Sequence, residues 1–499
     1  MTNHRFLVFC ALLGFILTGL VQAAVITVNS PNALIQDDGL CTLPEAIMAA
    51  NQNSTSGSIH GECVAGQAGE DNIIVSGLNW PVNINLSAVN LPIIKEPVVI
   101  SGPGANQLSL IGGGSVPVFI TEADLNLSGL SVLKGGDYGA GIRVIQSANL
   151  TLSDCAFKQH DASNGGGVID YKGSDQLHTI NISNCLWSDN NLTNGAGAVL
   201  HVNANSQNNV LVDITIQSAQ FTNNTATGNS GVIALSRNNS SVVNLRVFDS
   251  SFVSNAGGFR GGVFFANFPG GEVIFERNLF HLNQAGQSGG AIYMGNGALQ
   301  LINNTFHQNQ AGDNGGAVYA RAFGADEVMI IHNTLTENVA NTNDNGSTGG
   351  GLWSNNQVYL SGNILADNVV TNSPNGTNCW GNAVSEGYNL IGDIVGCQFQ
   401  SLVTDQLGNS QTTGVIDPML SALADHGGLT DTQRPMAASP VIDDIPVSDC
   451  ITANGSQQLL DQRRYVRPAD GDNNGADLCD IGALELNALS DLIFVNGFE

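Results

Sequence analysis

The chain has 499 residues, with 42 acidic residues, 15 lysines and arginines, 60 glycines and only 11% charged residues in total. This acidic balance argues against nucleic acid and anionic membranes as direct partners, and against polyanionic sugars unless calcium bridges them. The composition is atypical of an ordinary globular enzyme or a disordered polymer, and fits many short strands joined by glycine-rich and asparagine-rich turns.

An export signal is predicted at the start of the chain. His4 and Arg5 precede an uncharged run of 16 residues from Phe6 to Val21, which ends in Val21-Gln22-Ala23 with small residues at the cleavage positions. This pattern is typical of a signal peptide over residues 1–23. A membrane anchor is disfavoured because a spanning helix needs about 20 apolar residues. We expect an exported mature chain without a transmembrane segment, with 42 acidic and 14 basic residues and therefore a net charge of −28.

The cysteines are expected to form structural disulfides. Eight of the nine remain after removal of the signal peptide, which contains Cys10. An even number suits an oxidising compartment. Cys155 and Cys185 occupy equivalent places in neighbouring repeats, where they either stack as free thiols or form a bridge. Spacing suggests three further pairs, which are Cys41 with Cys63, Cys379 with Cys397, and Cys450 with Cys479.

A short helix is predicted ahead of the repeats. Thr42 and Glu45 match a capping box, Pro44 lies in the first turn, and an apolar segment continues to about Asn51. We expect this helix to cover the first coil, because an unprotected end of a strand stack recruits other chains. The expected organisation is an N-terminal cap with the first coils over residues 24–96, repeats over 97–385, a C-terminal cap over 386–485 and a tail over 486–499.

A repeat of about 30 residues runs through the middle of the chain. Each unit has a large apolar residue, an asparagine three residues later, a loop, paired glycines and a short strand with apolar and polar residues in alternation. A buried asparagine amide can donate to the same amide in the next coil and accept from the previous one. This column contains Asn190, Asn224, Asn255, Asn283, Asn309, Asn338 and Asn368. The pattern predicts an all-β, right-handed parallel β-helix with three short strands per coil, which we expect to be a monomer.

Several segments resemble bacterial secreted β-helix proteins. Residues 41–47 resemble the CSLREA-type signature at the front of such proteins, with Pro44 in place of the usual arginine. Residues 306–309 and 315–318 are similar to repeats of chlamydial polymorphic outer-membrane proteins, which are surface adhesins. The C-terminal region resembles choice-of-anchor proteins at residues 387–392, 425–428 and 479–483, and a terminal motif of secreted gammaproteobacterial proteins at residues 493–499. The resemblance implies an extracellular or outer-membrane location in a Gram-negative bacterium.

An aromatic stripe is predicted on the outer surface. Phe265, Tyr293, Tyr319 and Trp353 each stand three residues after the second glycine of a pair, in four successive coils. The preceding residue is always apolar and is expected to face the core, so alternation along the strand turns the aromatic side chains outward. Such a stripe suits sugar rings or the apolar surface of a partner. The alternative is that neighbouring loops cover it.

Glu337 and Asp367 are weak candidates for catalysis. They stand in neighbouring coils, and glycoside hydrolases use paired carboxylates about 5 to 9.5 Å apart. Their column holds glutamine, serine or leucine in other coils, which favours a solvated turn. His281 and His307 are also one coil apart and could share a metal, but no carboxylate accompanies them. We therefore expect no catalytic site.

A calcium loop is the remaining candidate ligand site. Asp470, Asp472 and Asn474 place oxygens at alternate positions before a glycine at the sixth position, and Asp477 follows this glycine, as at the start of a calcium-binding loop. Ile481 stands where the bidentate glutamate is expected, so a plain polar turn is the equal alternative. Calcium is the one cofactor that the sequence suggests.

The combined expectation is an exported cell-surface or secreted repeat protein that binds a carbohydrate or a cell-surface or matrix partner. One alternative is a polysaccharide lyase or glycoside hydrolase on the same scaffold, since fold alone does not decide function. The other is a passive structural component of the cell surface.

Overall fold

The structure is a computed structural model that describes residues 23–488, with gaps at 147, 173–176, 205–209, 238–240, 268–269, 324–325, 347, 356–357 and 453–454. The expected signal peptide up to residue 22 and the tail from residue 489, including the 493–499 motif, lie outside the described residues. No helix in the described part is long and apolar enough to cross a membrane.

The described chain forms a parallel β-solenoid of about 10 turns with one α-helix, which confirms the predicted fold class. A full coil contains four short strands, illustrated by Ile292–Met294, Ala298–Ile302, Thr305–His307 and Gln310–Ala311. Three strands per coil were expected. The fourth forms because the two residues after the asparagine turn pair with their equivalents in the next coil.

The first face of the solenoid follows the glycine pairs. Its strands pair in parallel from coil to coil, so residues in equivalent positions form columns. They are Phe119–Thr121, Ile142–Val144, Ile169–Lys172, Leu200–Ala204, Ile233–Arg237, Phe264–Ala266, Ile292–Met294, Val318–Arg321 and Leu352–Asn355.

The second face comes next along each coil. Its strands are Val25–Val28, Asp71–Val75, Val98–Ser101, Leu125–Ser128, Leu150–Ser153, Leu177–Ser183, Leu211–Gln217, Val242–Phe248, Gly270–Glu276, Ala298–Ile302, Val328–Ile331 and Val358–Ser361. The long strand Cys379–Gly387 pairs with the last strands of both faces and joins them into one sheet, which ends at Cys397–Gln400.

The third face carries the large apolar residues of the repeat. Its strands are Val82–Asn85, Leu108–Ile111, Ser131–Leu133, Ala156–Lys158, Leu186–Ser188, Gln220–Thr222, Ser251–Val253, Leu279–His281, Thr305–His307, Thr334–Thr336, Ile364–Ala366, Leu390–Ile391 and Gln406–Leu407. The fourth face consists of the two-residue strands Asp161–Ala162, Asn191–Leu192, Thr225–Ala226, Ala256–Gly257, Gln284–Ala285, Gln310–Ala311, Val339–Ala340 and Val369–Val370.

A column of stacked rings fills the interior. Phe252 lies between Phe221 and Phe280, with ring centroids 4.8 and 5.0 Å apart and nearly parallel planes. Phe280 continues the stack to Phe306 at 4.5 Å. All four side chains are fully buried. Burial of one such side chain contributes about 1.5–3 kcal/mol, so the core gains stability with every coil that is added.

The predicted asparagine column lies at the turn after the third face. The side-chain amide of Asn255 donates to the Oδ1 atom of Asn283 (3.1 Å) and to the carbonyl of Phe221 (2.9 Å). Its own Oδ1 atom accepts from the amide of Asn224 (2.9 Å) and from the backbone N–H of that residue (3.0 Å). The seven asparagines are all buried and make the same set of bonds from coil to coil.

A second asparagine column, which sequence reasoning missed, lies between the second and third faces. Each of its members stands two residues before the core residue of the third face, so the repeat does contain a signal for it. Asn304 donates to the Oδ1 atom of Asn333 and to the Phe275 carbonyl, at 2.9 and 2.8 Å. The column comprises Asn278, Asn304, Asn333, Asn363 and Asn389.

The N-terminal helix forms over Leu43–Gln52 with the predicted capping box. The Thr42 side chain accepts from the Glu45 backbone N–H, and the Glu45 carboxylate accepts from the Thr42 N–H at 2.9 Å. The helix packs against the first two strands of the second face, Val25–Val28 and Asp71–Val75. The helix therefore lies against the first two coils of the solenoid, and its role as a cap stays a prediction.

The three predicted disulfides are confirmed. They join Cys41 to Cys63, Cys379 to Cys397 and Cys450 to Cys479. Cys155 and Cys185 are buried free thiols in neighbouring coils. Of the two expected alternatives, free thiols or a disulfide, the structure has the free thiols.

The C-terminal segment, residues 417–487, packs against the flank of the solenoid. The Arg464 guanidinium pairs with Asp249, and the Asn303 amide donates to the Leu460 carbonyl at 2.9 Å. Further along the flank, the Ala483 N–H donates to the Thr334 hydroxyl at 3.1 Å. This region was expected to be a cap, yet these contacts lie along the side of the coils, and Val403 in the last coil is fully exposed.

Candidate functional site

The four predicted aromatic residues lie together on the first face. Parallel register aligns Phe265 with Tyr293, Tyr293 with Tyr319, and Tyr319 with Trp353. Their ring centroids are 5.5, 4.6 and 4.3 Å apart, and the planes tilt by no more than 16°. We call these four residues the aromatic ladder.

The ladder is partly exposed. Phe265, Tyr319 and Trp353 are half-buried, and Tyr293 is 8% exposed. Because each ring covers the face of the next, the ladder presents ring edges rather than open faces to solvent. Ring edges carry the positive part of the aromatic quadrupole and attract electron-rich oxygen atoms. A ligand on this surface would therefore lie across the ring edges.

Beyond the ladder, the same column of the first face contains other types of residue. Trp380 follows Trp353 in register; sequence reasoning missed it because no glycine pair precedes it. On the other side the column continues through Ala234 and His201 to Asp170. The His201 Nδ1 atom lies 3.2 Å from the Asp170 carboxylate, which is buried. The first face thus offers an aromatic segment and a separate polar segment.

Glu337 and Asp367 lie in the turns after the third face. Both backbones are in the left-handed region, with φ of 56° and 57°, and both side chains are exposed. The Glu337 carboxylate accepts from the Gln308 amide at 2.8 Å. Partial desolvation, together with the carboxylates of Asp417 and Glu337, raises the pKa of Asp367. The surroundings are those of a solvated turn, and the catalytic alternative stays a prediction.

His281 and His307 stack with ring centroids 5.3 Å apart. Their Nδ1 atoms already have partners, namely the His307 carbonyl and the Thr336 hydroxyl, both at 3.2 Å. Desolvation lowers the pKa of His307, which favours the neutral ring. This arrangement is that of a packed pair of rings.

The predicted calcium loop brings only part of its residues together. Asp470 and Asp472 converge with Asp443, which sequence reasoning missed because it lies 27 residues earlier. The Asn474 side chain turns to its own loop, where its amide donates to Asp472 at 2.8 Å and its oxygen accepts from Ala476 at 2.9 Å. In the described part of the chain, these three carboxylates are the one group with spacing suited to a metal ion. Asp477 is not among them.

No protein-family model matches the chain, and no curated protein or solved structure matches it. Function must therefore be argued from the geometry of the first face.

Proposed function

We propose that this protein is an exported cell-surface or secreted β-helix protein that binds a carbohydrate or a surface partner through the aromatic ladder. The observation that carries the proposal is the outward alignment of four aromatic residues over four successive coils. Consecutive coils are about 4.8 Å apart, so the ladder is about 15 Å long. This length suits several units of an extended sugar chain.

The four ladder residues include no carboxylate and no histidine, which supports binding over glycan cleavage by paired carboxylates. Their aromatic rings offer a shaped apolar surface with two tyrosine hydroxyls. Resemblance of the repeats at 306–309 and 315–318 to those of surface adhesins agrees with this proposal, as does the pattern of an export signal over residues 1–23.

The test is binding and depolymerisation by the mature chain, residues 24–499, on a polysaccharide array, with bound protein and released sugar ends followed together. We expect retention without new chain ends. The variant Trp353→Ala should lose at least tenfold in affinity, because it removes the ring that stacks on Tyr319 at 4.3 Å. Leu177→Ala, which alters an exposed apolar side chain on the second face, is the matched control.

New chain ends that vanish in the Glu337→Gln variant would make the protein a glycan-cleaving enzyme and overturn the proposal. Retention that is unchanged in Trp353→Ala would move the binding surface elsewhere. Absence of any binding would favour a passive structural role.

Calcium is the proposed ion for the loop around Asp470 and Asp472. Carboxylate oxygens are the ligands that calcium prefers, and Asp443 supplies a third carboxylate. Running the same array with calcium and with a chelator tests whether the ion contributes to binding. Retention that falls in the chelator, and in Asp472→Asn with calcium present, would support the loop.

A further inference from the structure

Two arginines flank the aromatic ladder. Arg260 lies directly before the glycine pair at 261–262, and its guanidinium carbon is 5.1 Å from the centre of the Tyr293 ring. Arg321 ends the strand Val318–Arg321, two residues after Tyr319. Since alternate residues of a strand point to the same side, Arg321 and Tyr319 project from the same surface.

Both cations act on the same tyrosine. Burial and the neighbouring Tyr293 raise the pKa of Tyr319, while Arg321 and Arg260 each lower it. Arg260 belongs to the coil of Phe265 and Arg321 to the coil of Tyr319, so the two guanidinium groups flank the ladder in different coils.

Neither arginine is neutralised by the protein. Within the described residues, Arg260 and Arg321 make no ion pair, although the chain is strongly acidic. In contrast, five other arginines pair with carboxylates: Arg246, Arg277, Arg463, Arg464 and Arg467. Arg260 is exposed, and both guanidinium groups keep their charge for a ligand.

Aromatic contacts hold the guanidinium groups in place. Arg260 lies 5.1 Å from the centre of the Tyr293 ring, and Arg321 lies 5.2 Å from the centre of the Phe323 ring. A guanidinium held beside an aromatic ring keeps N–H groups free for contact with an oxyanion. Phe259 and Phe323 are about half exposed, at 50% and 54%, and extend the apolar surface next to the two cations.

We propose that the aromatic ladder binds an anionic glycan, with carboxylate or sulfate groups of the sugar chain held by Arg260 and Arg321. This inference rests on the proposed function and adds the charge class of the ligand. The ring edges contact oxygen atoms of the sugar, and the two guanidinium groups receive its oxyanions. Net charge predicts the opposite preference, but exposed charges more than about 8 Å away are largely screened at physiological ionic strength. The charges of the side chains that contact the ligand therefore decide whether an acidic or a neutral glycan binds more tightly.

The experiment compares two matched pairs of polymers with the mature chain at physiological salt. Polygalacturonate and its fully methyl-esterified form differ in the carboxylate, and dextran sulfate and dextran differ in the sulfate. We expect at least tenfold tighter binding of one acidic polymer than of its neutral partner. The pair that shows the preference identifies the oxyanion as carboxylate or sulfate.

The variant that tests the assignment is Arg260→Gln combined with Arg321→Gln. It should remove the preference for the acidic polymer and leave the binding of the neutral polymer within about twofold. Arg246→Gln is the control, because Arg246 is exposed and paired with Glu272 on the second face. Circular dichroism of each variant establishes that it folds.

Outcomes separate this inference from the proposed function. Equal binding of acidic and neutral polymers, lost in Trp353→Ala, would overturn the anionic ligand and leave the carbohydrate-binding function standing. A preference that survives the double arginine variant would also overturn the assignment. No binding to any of the four polymers would contradict both.

Discussion

Buried asparagine is the residue on which the stacking of coils depends. Its amide has two donors and its oxygen two acceptor positions, so one side chain satisfies a neighbour above, a neighbour below and a backbone carbonyl. Asn283 makes this set of bonds to Asn309, to Asn255 and to the Phe252 carbonyl. An aspartate or a leucine in one coil would leave polar groups of the adjacent coils without partners. Buried groups of this kind cost about 1–3 kcal/mol each.

We predict that Asn309→Ala lowers the free energy of unfolding by about 2–4 kcal/mol, because the buried N–H and amide of Asn283 lose their acceptor. Urea denaturation followed by circular dichroism measures the change. Asn194→Ala is the control, since Asn194 is exposed, lies outside the left-handed backbone region and bonds only Asn164 through its side chain; its effect should stay within about 0.5 kcal/mol. Equal effects of the two substitutions would show that the column does not hold the coils together.

The C-terminal flank segment is the element whose stability depends on buried charge. Arg467 is almost completely buried and lies 3.4 Å from the Glu485 carboxylate, with its Nη1 atom 2.9 Å from the His332 ring. Desolvation raises the pKa of Glu485 to about 8 and that of Asp480 to about 7. The charge of Arg467 lowers the pKa of both carboxyl groups, but desolvation by burial outweighs it.

This pair gives a pH dependence of definite sign. An acid whose pKa is higher in the folded chain than in the unfolded chain holds its proton longer in the fold, so stability falls as pH rises between the two values. We predict that the free energy of unfolding decreases between about pH 4.5 and about pH 8 through this pair. The measurement is the urea midpoint as a function of pH, with Glu485→Gln expected to flatten the slope.

Glu272→Gln is the control for that slope, because Glu272 is a surface residue paired with Arg246. The measured quantity is the slope of stability against pH. The absolute stability is less informative, because Glu485→Gln also changes a buried hydrogen bond from the backbone N–H of Ala469 or Asp480 and so lowers the stability. A slope that Glu485→Gln leaves unchanged would mean that both carboxylates are ionised in the folded chain.

The whole molecule behaves as a stack of equivalent units. Each coil contacts the coil before and the coil after it, so stability is close to a sum of coil and interface contributions. The C-terminal segment adds further contacts to some coils, and the contacts described above begin at Asp249. Coils before that point should therefore be removable one at a time, provided that register is kept.

We predict that deletion of residues 191–224 gives a folded protein that is shorter by one strand spacing, about 4.8 Å. The deletion joins Asn190 to Thr225, which occupies the position equivalent to Asn191, and brings Trp187 onto Phe252. Small-angle scattering and circular dichroism measure length and strand content. Deletion of residues 191–207, which removes a partial coil and breaks the register, should unfold the protein; a folded product would refute the additive description.

The repeat by itself determined most of the fold. Each repeat has the same spacing between a large apolar residue, an asparagine and a glycine pair, and this pattern can be read locally. When the repeats stack, each repeated position necessarily becomes a column. The parallel β-helix, the three disulfides and the helix Leu43–Gln52 followed from it or from adjacent motifs. The co-alignment of the four aromatic residues also followed, because it needs only register and strand alternation.

Contacts outside the repeat were decided by tertiary structure alone. The flank position of residues 417–487, the joining of Asp443 to the loop at Asp470 and the placement of Arg260 beside the Tyr293 ring all link residues with no common period. Such contacts depend on how a non-repeating segment packs against the coils, and sequence spacing carries no measure of that packing. The local charge around the ladder therefore differs from the net charge of the chain.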